Sequence, residues 1–177
     1  MRIRYITLCL LILLFSGCAS SRVGTWIPFA RKTYSDTVSG WKSYRDVVKW
    51  MEGRFSFDEE RYKKYEGTLP PPRTPEETFR LRSGIYMDVA FFLKETLHRV
   101  DPSYQSRVVV IVASSSRFNH YVCSFKAEGK LFILDYGTPY KEMTGVHGPY
   151  RSLEEYRQFY EKHHPVKRKI EAITFLK

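Results

Sequence analysis

A thiol acyl-transfer site needs three parts: a Cys at the start of an apolar helix, a His on one strand and an Asp on the next. The thiolate attacks the acyl carbon, the imidazole takes the thiol proton, and the carboxylate orients the ring. The second and third parts are present as His120 and Asp135. The apolar helix opens at Gly84-Ile85-Tyr86-Met87-Asp88-Val89-Ala90, where Tyr86 holds the place of the thiol. A phenol is larger than a thiol, and its unperturbed pKa is about 10. Its oxygen also sits elsewhere than a thiol's sulfur would. The chain is therefore expected to keep the frame and the base while lacking the nucleophile, and so to perform no acyl transfer.

The other reactive side chains offer no replacement. Cys123 follows His120 on the same strand at an odd spacing. Side chains alternate across a strand, so Cys123 is expected to face away from His120 as a small buried hydrophobe. His120 itself can equally be a strand residue satisfied by Asp135. No spacing among His120, His147, His163 and His164 matches a zinc motif, and His163-His164 before Pro165 reads as a helix end. No metal or cofactor is expected. Tyr136, Tyr140, Tyr150, Tyr156 and Tyr160 gather late in the chain. Their helical spacing suits packing, although rings also line ligand grooves.

Elements must hold these residues in place. Trp41, Tyr44, Val47, Val48 and Met51 form a helix stripe over 41–55, and 58–66 is a shorter, charged helix. Gly67 and Pro70-Pro71-Pro72 make a stiff connector. Thr74-Pro75-Glu76-Glu77 is a capping box with Pro in the first turn, and Ser83-Gly84 cuts that helix short. Residues 85–100 are apolar over most of the circumference and read as a buried central helix. Strands are expected at 107–113, 119–125 and 131–136, with Glu128-Gly129 as a turn and 138–150 as a loop. Ser152-Leu153-Glu154-Glu155 caps a further helix to Lys162. Ile170, Ala172, Thr174 and Leu176 alternate along a last strand. Helices first and an antiparallel sheet second is an α+β pattern.

The first residues lie outside this pattern. Arg2 and Arg4 precede an apolar run over 6–15, followed by Ser16-Gly17-Cys18. The run falls short of the roughly 20 residues a membrane span needs, so it reads as a signal peptide. Phe15-Ser16-Gly17-Cys18 resembles the lipobox of bacterial lipoproteins, which implies cleavage after Gly17 and acyl chains on Cys18. Ala19 resembles the outer-membrane sorting pattern. The organisation expected is a cleaved signal over 1–17, a lipidated Cys and tether over 18–39, and one domain over 40–177. Removing two Arg leaves 27 basic and 19 acidic residues, or +8. Cys123 becomes the one free thiol, so no intramolecular disulfide can form. Nucleic acid is not an expected partner of an exported lipoprotein. Anionic lipid headgroups or cell-wall polymers suit the positive balance better.

Thr74-Pro75-Glu76-Glu77, Arg82-Ser83-Gly84 and Asp88-Val89-Ala90 resemble the core segment of the transglutaminase-like superfamily. His120-Tyr121-Val122 and Leu134-Asp135-Tyr136 resemble its His and Asp motifs, in the same order. The resemblance runs from about Trp41 to Gly137. It implies a papain-like fold, a central helix packed on an antiparallel sheet, with the nucleophile at the helix N-terminus. There the free N–H groups and the helix dipole lower a thiol's pKa and stabilise an oxyanion. Gly84 matches the family's turn glycine, Asp88 and Ala90 the positions after the nucleophile, His120 the base and Asp135 its orienter. Tyr86 stands at the nucleophile position. The reading that follows is an envelope lipoprotein, most simply on the periplasmic side of the outer membrane, whose inactive domain binds a peptide, a protein partner or a cell-wall component. The alternatives are a hydrolase or acyl transferase that uses His120 and Asp135 with another nucleophile, and a structural envelope lipoprotein.

Overall fold

Most helix starts in this chain are set by side chains that take up free backbone N–H groups. The computed structural model describes residues 32–65, 68, 70–114 and 119–177. The expected signal sequence, Cys18 and the tether up to residue 31 lie outside the described residues, as do Glu66 and Gly67. Thr33 caps α1 (Tyr34–Val38), and its hydroxyl accepts from Asp36 N–H at 3.1 Å. Asp46 accepts from the N–H groups of Lys42 and Ser43 at the start of α2 (Tyr44–Arg54). After β1 (Ser56–Phe57), Asp58 caps α3 (Glu59–Lys64). The Thr74/Glu77 capping box and Pro75 start α4 (Pro75–Leu81), which ends at Arg82 in a left-handed conformation, φ 55°. β2 (Ser83–Gly84) leads into the central helix α5 (Tyr86–Val100).

The sheet follows. β3 (Arg107–Ala113), β4 (His120–Ala127), β5 (Lys130–Asp135), β6 (Gly145–Tyr150) and β7 (Ile170–Phe175) lie in the order β6-β5-β4-β3-β7, all neighbours antiparallel. Glu128 (φ 53°) and Gly129 (φ 73°) close the β4–β5 hairpin in a two-residue turn that needs positive φ at both positions. Alternation along the strands builds two separate cores. Val108, Val110, Tyr121, Cys123, Phe125 and Leu134 face α5, where Val89, Phe92, Leu93 and Leu97 are buried. Val109, Ile111, Val122 and Ile133 face α6 (Leu153–His163) through Tyr156 and Tyr160. The α+β expectation of a central helix on an antiparallel sheet holds.

Several local expectations are corrected. Within the expected tether over 18–39, Tyr34 and Val38 of α1 are each 3% exposed in the core, and Tyr34 Oη lies 2.9 Å from Thr96 Oγ1. A five-residue helix is too short to show a period. The expected 138–150 loop contains the edge strand β6, disguised by its two Gly and Pro149, residues tolerated at an edge. The pairing of β7 with β3 shifts register between Val112 and Ala113, so Ile170, Ile173 and Phe175 pack inward rather than the strict alternation from Ile170 to Leu176. β1 and β2 form an additional two-stranded parallel pair, register Ser56↔Ser83.

Candidate active site

The start of α5 is occupied by its own chain. Asp88, 1% exposed, accepts from Ile85 N–H at 3.2 Å and from Arg73 N–H at 2.8 Å. Its carboxylate meets the Arg61 fork, with Nε–Oδ2 2.9 Å and Nη2–Oδ1 3.3 Å. Arg61 also donates to Pro71 O at 2.8 Å, and Arg73 donates to Asp58 Oδ2 at 2.8 Å and to Ser83 O at 3.1 Å. Burial would raise the Asp58 carboxyl, but the Arg61 N–H and the Arg73 guanidinium outweigh it and hold it below the usual range. These bonds bind α3 and the proline connector to the start of α5. A buried carboxylate suits the positive end of a helix dipole.

Tyr86 is the first residue of α5 and is 6% exposed. Its ring stacks near Tyr121 at 6.3 Å and meets the edge of Tyr62 at 6.4 Å. Burial, reinforced by Tyr62 and Asp88, raises its pKa above the ordinary phenol value, so the hydroxyl stays protonated at neutral pH. The end of β5 presses against this turn. A Cβ on Gly137 would lie 2.6 Å from Tyr86 Cα and 2.9 Å from Tyr86 N, so only glycine fits there.

His120 and Asp135 are brought together: Nε2 lies 2.6 Å from Asp135 Oδ2. The Asp135 side chain is fully buried and that of His120 is 17% exposed. Asp135 Oδ1 also accepts from Gly137 N–H at 3.3 Å, linking the pair to the residue that abuts Tyr86. Among the described residues no hydrogen bond engages His120 Nδ1. The pair nevertheless faces the α6 side of the sheet. The His120 ring lies 6.0 Å from Tyr160, which stacks on His164 at 4.8 Å, and His164 meets Tyr140 edge-on at 4.7 Å. Tyr121, one residue along β4, points the other way to Tyr86. Among the described residues no hydrogen bond joins Tyr86 to His120. Among the described residues the arrangement is an oriented imidazole with no nucleophilic side chain bonded to it.

Cys123 lies in the α5-side core at 0% exposure, on the face away from His120, and burial pushes its thiol pKa far up. Of the late tyrosines, Tyr136 faces the α5 core, whereas Tyr140, Tyr150, Tyr156 and Tyr160 pack around α6. The Tyr156 hydroxyl is buried with no hydrogen-bond partner among the described residues, and burial, with the charge of Asp135, raises its pKa. His147 Nε2 lies 2.7 Å from Met143 O, and His163 stacks on Phe159. Among the described residues no three His, Cys, Asp or Glu side chains converge as a metal site. A recess of about 480 Å³ lies beyond the C-terminal end of α5, lined by Tyr44, Arg45, Asp101, Tyr104, Lys126 and Glu128 among others. Sequence reasoning did not foresee Arg61 and Arg73 as partners of the α5 start. Both sit in segments without a period, and only the fold brings them to Asp88.

A family model described as a transglutaminase-like domain matches residues 32–157. No curated protein matches the chain. Among solved structures, one described as "Crystal structure of a TGase" is similar at 10% identity and a TM-score of 0.37, covering 78% of this chain and 34% of that one. The chain thus spans about a third of that protein's length. The family match takes in α1, the start of α5, β4 and β5, and with them Tyr86, His120 and Asp135: the chain belongs to the transglutaminase-like domain family.

Proposed function

We propose that this chain is a lipid-anchored envelope protein whose transglutaminase-like domain performs no acyl transfer and works by binding a peptide, a protein partner or a cell-wall component. One observation carries the reading. Position 86, at the N-terminus of the central helix, holds a buried, protonated tyrosine engaged with Tyr62 and Tyr121. Cysteine-type acyl transfer requires an activated thiol beside the base, and Cys123 is sealed in the core on the opposite face. The anchor rests on Arg2, Arg4, the apolar run and Ser16-Gly17-Cys18. The periplasmic face of the outer membrane follows from Ala19. Binding is supported by the polar recess lined by Tyr44, Tyr104, Arg45 and Lys126 among others.

The test is turnover together with binding. Wild-type protein is offered a glutaminyl peptide with a primary amine, then peptide and ester substrates, and separately peptidoglycan fragments whose binding is followed by calorimetry. No turnover above buffer, with saturable binding, is the expected outcome. A second reading is favoured by the 2.6 Å His120–Asp135 pair, whose Nδ1 has no hydrogen bond among the described residues, a geometry that suits a base activating water. Turnover that disappears in His120→Ala would establish that hydrolase reading and overturn the first.

A further inference from the structure

Two exposed patches combine a large apolar side chain with several cations, and they lie on opposite layers of the fold. One is the end of α4. Leu81 is 42% exposed, the most exposed large hydrophobic residue among those described, and the exposed Arg80 and Arg82 flank it. Exposed Arg54 lies close by, because Ser56 N–H donates to Arg82 O at 3.0 Å. The acids of α4 are at its other end and already engaged. Glu77 turns back onto Thr74, and Glu76 pairs with Arg99 at 3.5 Å. The other patch is the α6–β7 connection, where Val166 is 41% exposed beside Lys167 and Lys169.

The position of α1 distinguishes them. Tyr34, at the start of α1, packs against Phe79 of α4 at 5.6 Å and is anchored to α5 through Thr96. The chain therefore joins the domain on the helix layer that carries α4. The α6–β7 connection belongs to the far face of the sheet. Fourteen residues lie between Cys18 and Thr33, a reach of at most about 50 Å. A tether that short holds the face it leaves from at high local concentration next to its anchor.

We infer that the Arg54, Arg80, Leu81 and Arg82 patch docks on the anionic headgroup surface of the bilayer that holds the anchor, with Leu81 dipping into the interface. This rests on the lipid anchor proposed at Cys18. Weak apolar insertion combined with cations is the pairing that makes peripheral contact dependent on anionic lipid. Docking would hold the domain in one orientation, with α4 against the membrane and α6, His120 and His164 turned away from it.

The experiment uses the full, lipidated protein in phosphatidylethanolamine vesicles with or without phosphatidylglycerol. A polarity-sensitive dye is placed at Leu81→Cys and, in a second protein, at Val166→Cys; both sites are exposed, and Cys123 is buried away from reagent. Flotation reads the anchor, and dye emission with quenching by spin-labelled lipid reads docking. The expected result is co-flotation, about a threefold emission gain and strong quenching at position 81 with phosphatidylglycerol alone, and no change at position 166. Adding Arg80→Glu and Arg82→Glu should remove most of the gain, whereas Lys167→Glu with Lys169→Glu should leave it. A dye at position 81 that reports water on protein that still floats overturns the docking and leaves the anchor standing. A gain at position 166 instead overturns it in favour of the other patch. Protein that fails to float removes the anchor and the docking with it.

Discussion

Successive residues of β4 meet two different fates. On the α5 face, Tyr86 at the start of α5 is in ring contact with both Tyr121 and Tyr62. On the α6 face, His120 keeps the bond to Asp135 that a base would need. The difference lies in what each residue asks of its neighbours. Aromatic pairs contribute about 0.5–1.5 kcal/mol beyond the area they bury, so a ring at position 86 is stabilised where it sits. A buried carboxylate without a partner is costly, so His120 and Asp135 remain mutually required whether or not any chemistry is done. A catalytic-looking pair therefore persists on structural grounds, and the nucleophile is the part whose presence reports activity.

The largest effect should come from the α5 face. Arg61→Ala removes the counter-charge of the Asp88 carboxylate, 1% exposed, leaving it only the Ile85 and Arg73 N–H groups, and should cost about 3–5 kcal/mol in urea unfolding. A loss below about 1 kcal/mol would show that the buried ions do not hold the α5 start, since exposed pairs are worth that little. Gly137→Ala comes next. The new methyl must displace Tyr86 backbone at 2.6 Å rather than a flexible side chain, which predicts a loss of about 1–3 kcal/mol. Unchanged stability there would mean the two faces are not joined through β5 as described.

The smallest effect belongs to the α6 face and is read as pH dependence. Burial lowers the His164 pKa below the ordinary imidazole value, with His120 and Arg168 adding to the effect and Asp135 and the Val166 backbone opposing it. Tyr140 and Tyr160 are the rings packed on it. As pH falls below about 6.5 the unfolded chain takes up a proton that the folded imidazole refuses, so stability declines until the folded pKa is passed. Above pH 7 this contribution is flat. His164→Gln should remove the acid-side decline, and a decline that persists would assign it to other groups.

Much of the frame was legible because it rests on repeating or punctuated signals. The Thr74/Glu77 box, the apolar helix after Gly84, the Val- and Ile-rich β3 and the Glu128-Gly129 turn each carry a local cause. So did the orientation of Cys123, which follows from alternation alone. What escaped lacked a period: the five residues of α1, the two-residue strands β1 and β2, and β6 with its Gly and Pro. The β7 bulge changes which side chains face inward without changing the sequence pattern. The Arg61–Asp88 and Arg73–Asp58 pairs depend on chain folding back across the connector. The facing of His120 relative to Tyr86 depends on strand register, which motif order does not encode.

The most direct measurement compares wild type, Tyr86→Cys and Tyr86→Cys with His120→Ala by intact mass after exposure to an activated acyl ester. The account expects no adduct on wild type and one acyl group on Tyr86→Cys, with the double variant acylated at the same rate as the single, because His120 faces the α6 side of the sheet and position 86 the α5 side. An acyl adduct on the wild-type protein would contradict the central claim that the frame and the base remain here without a nucleophile.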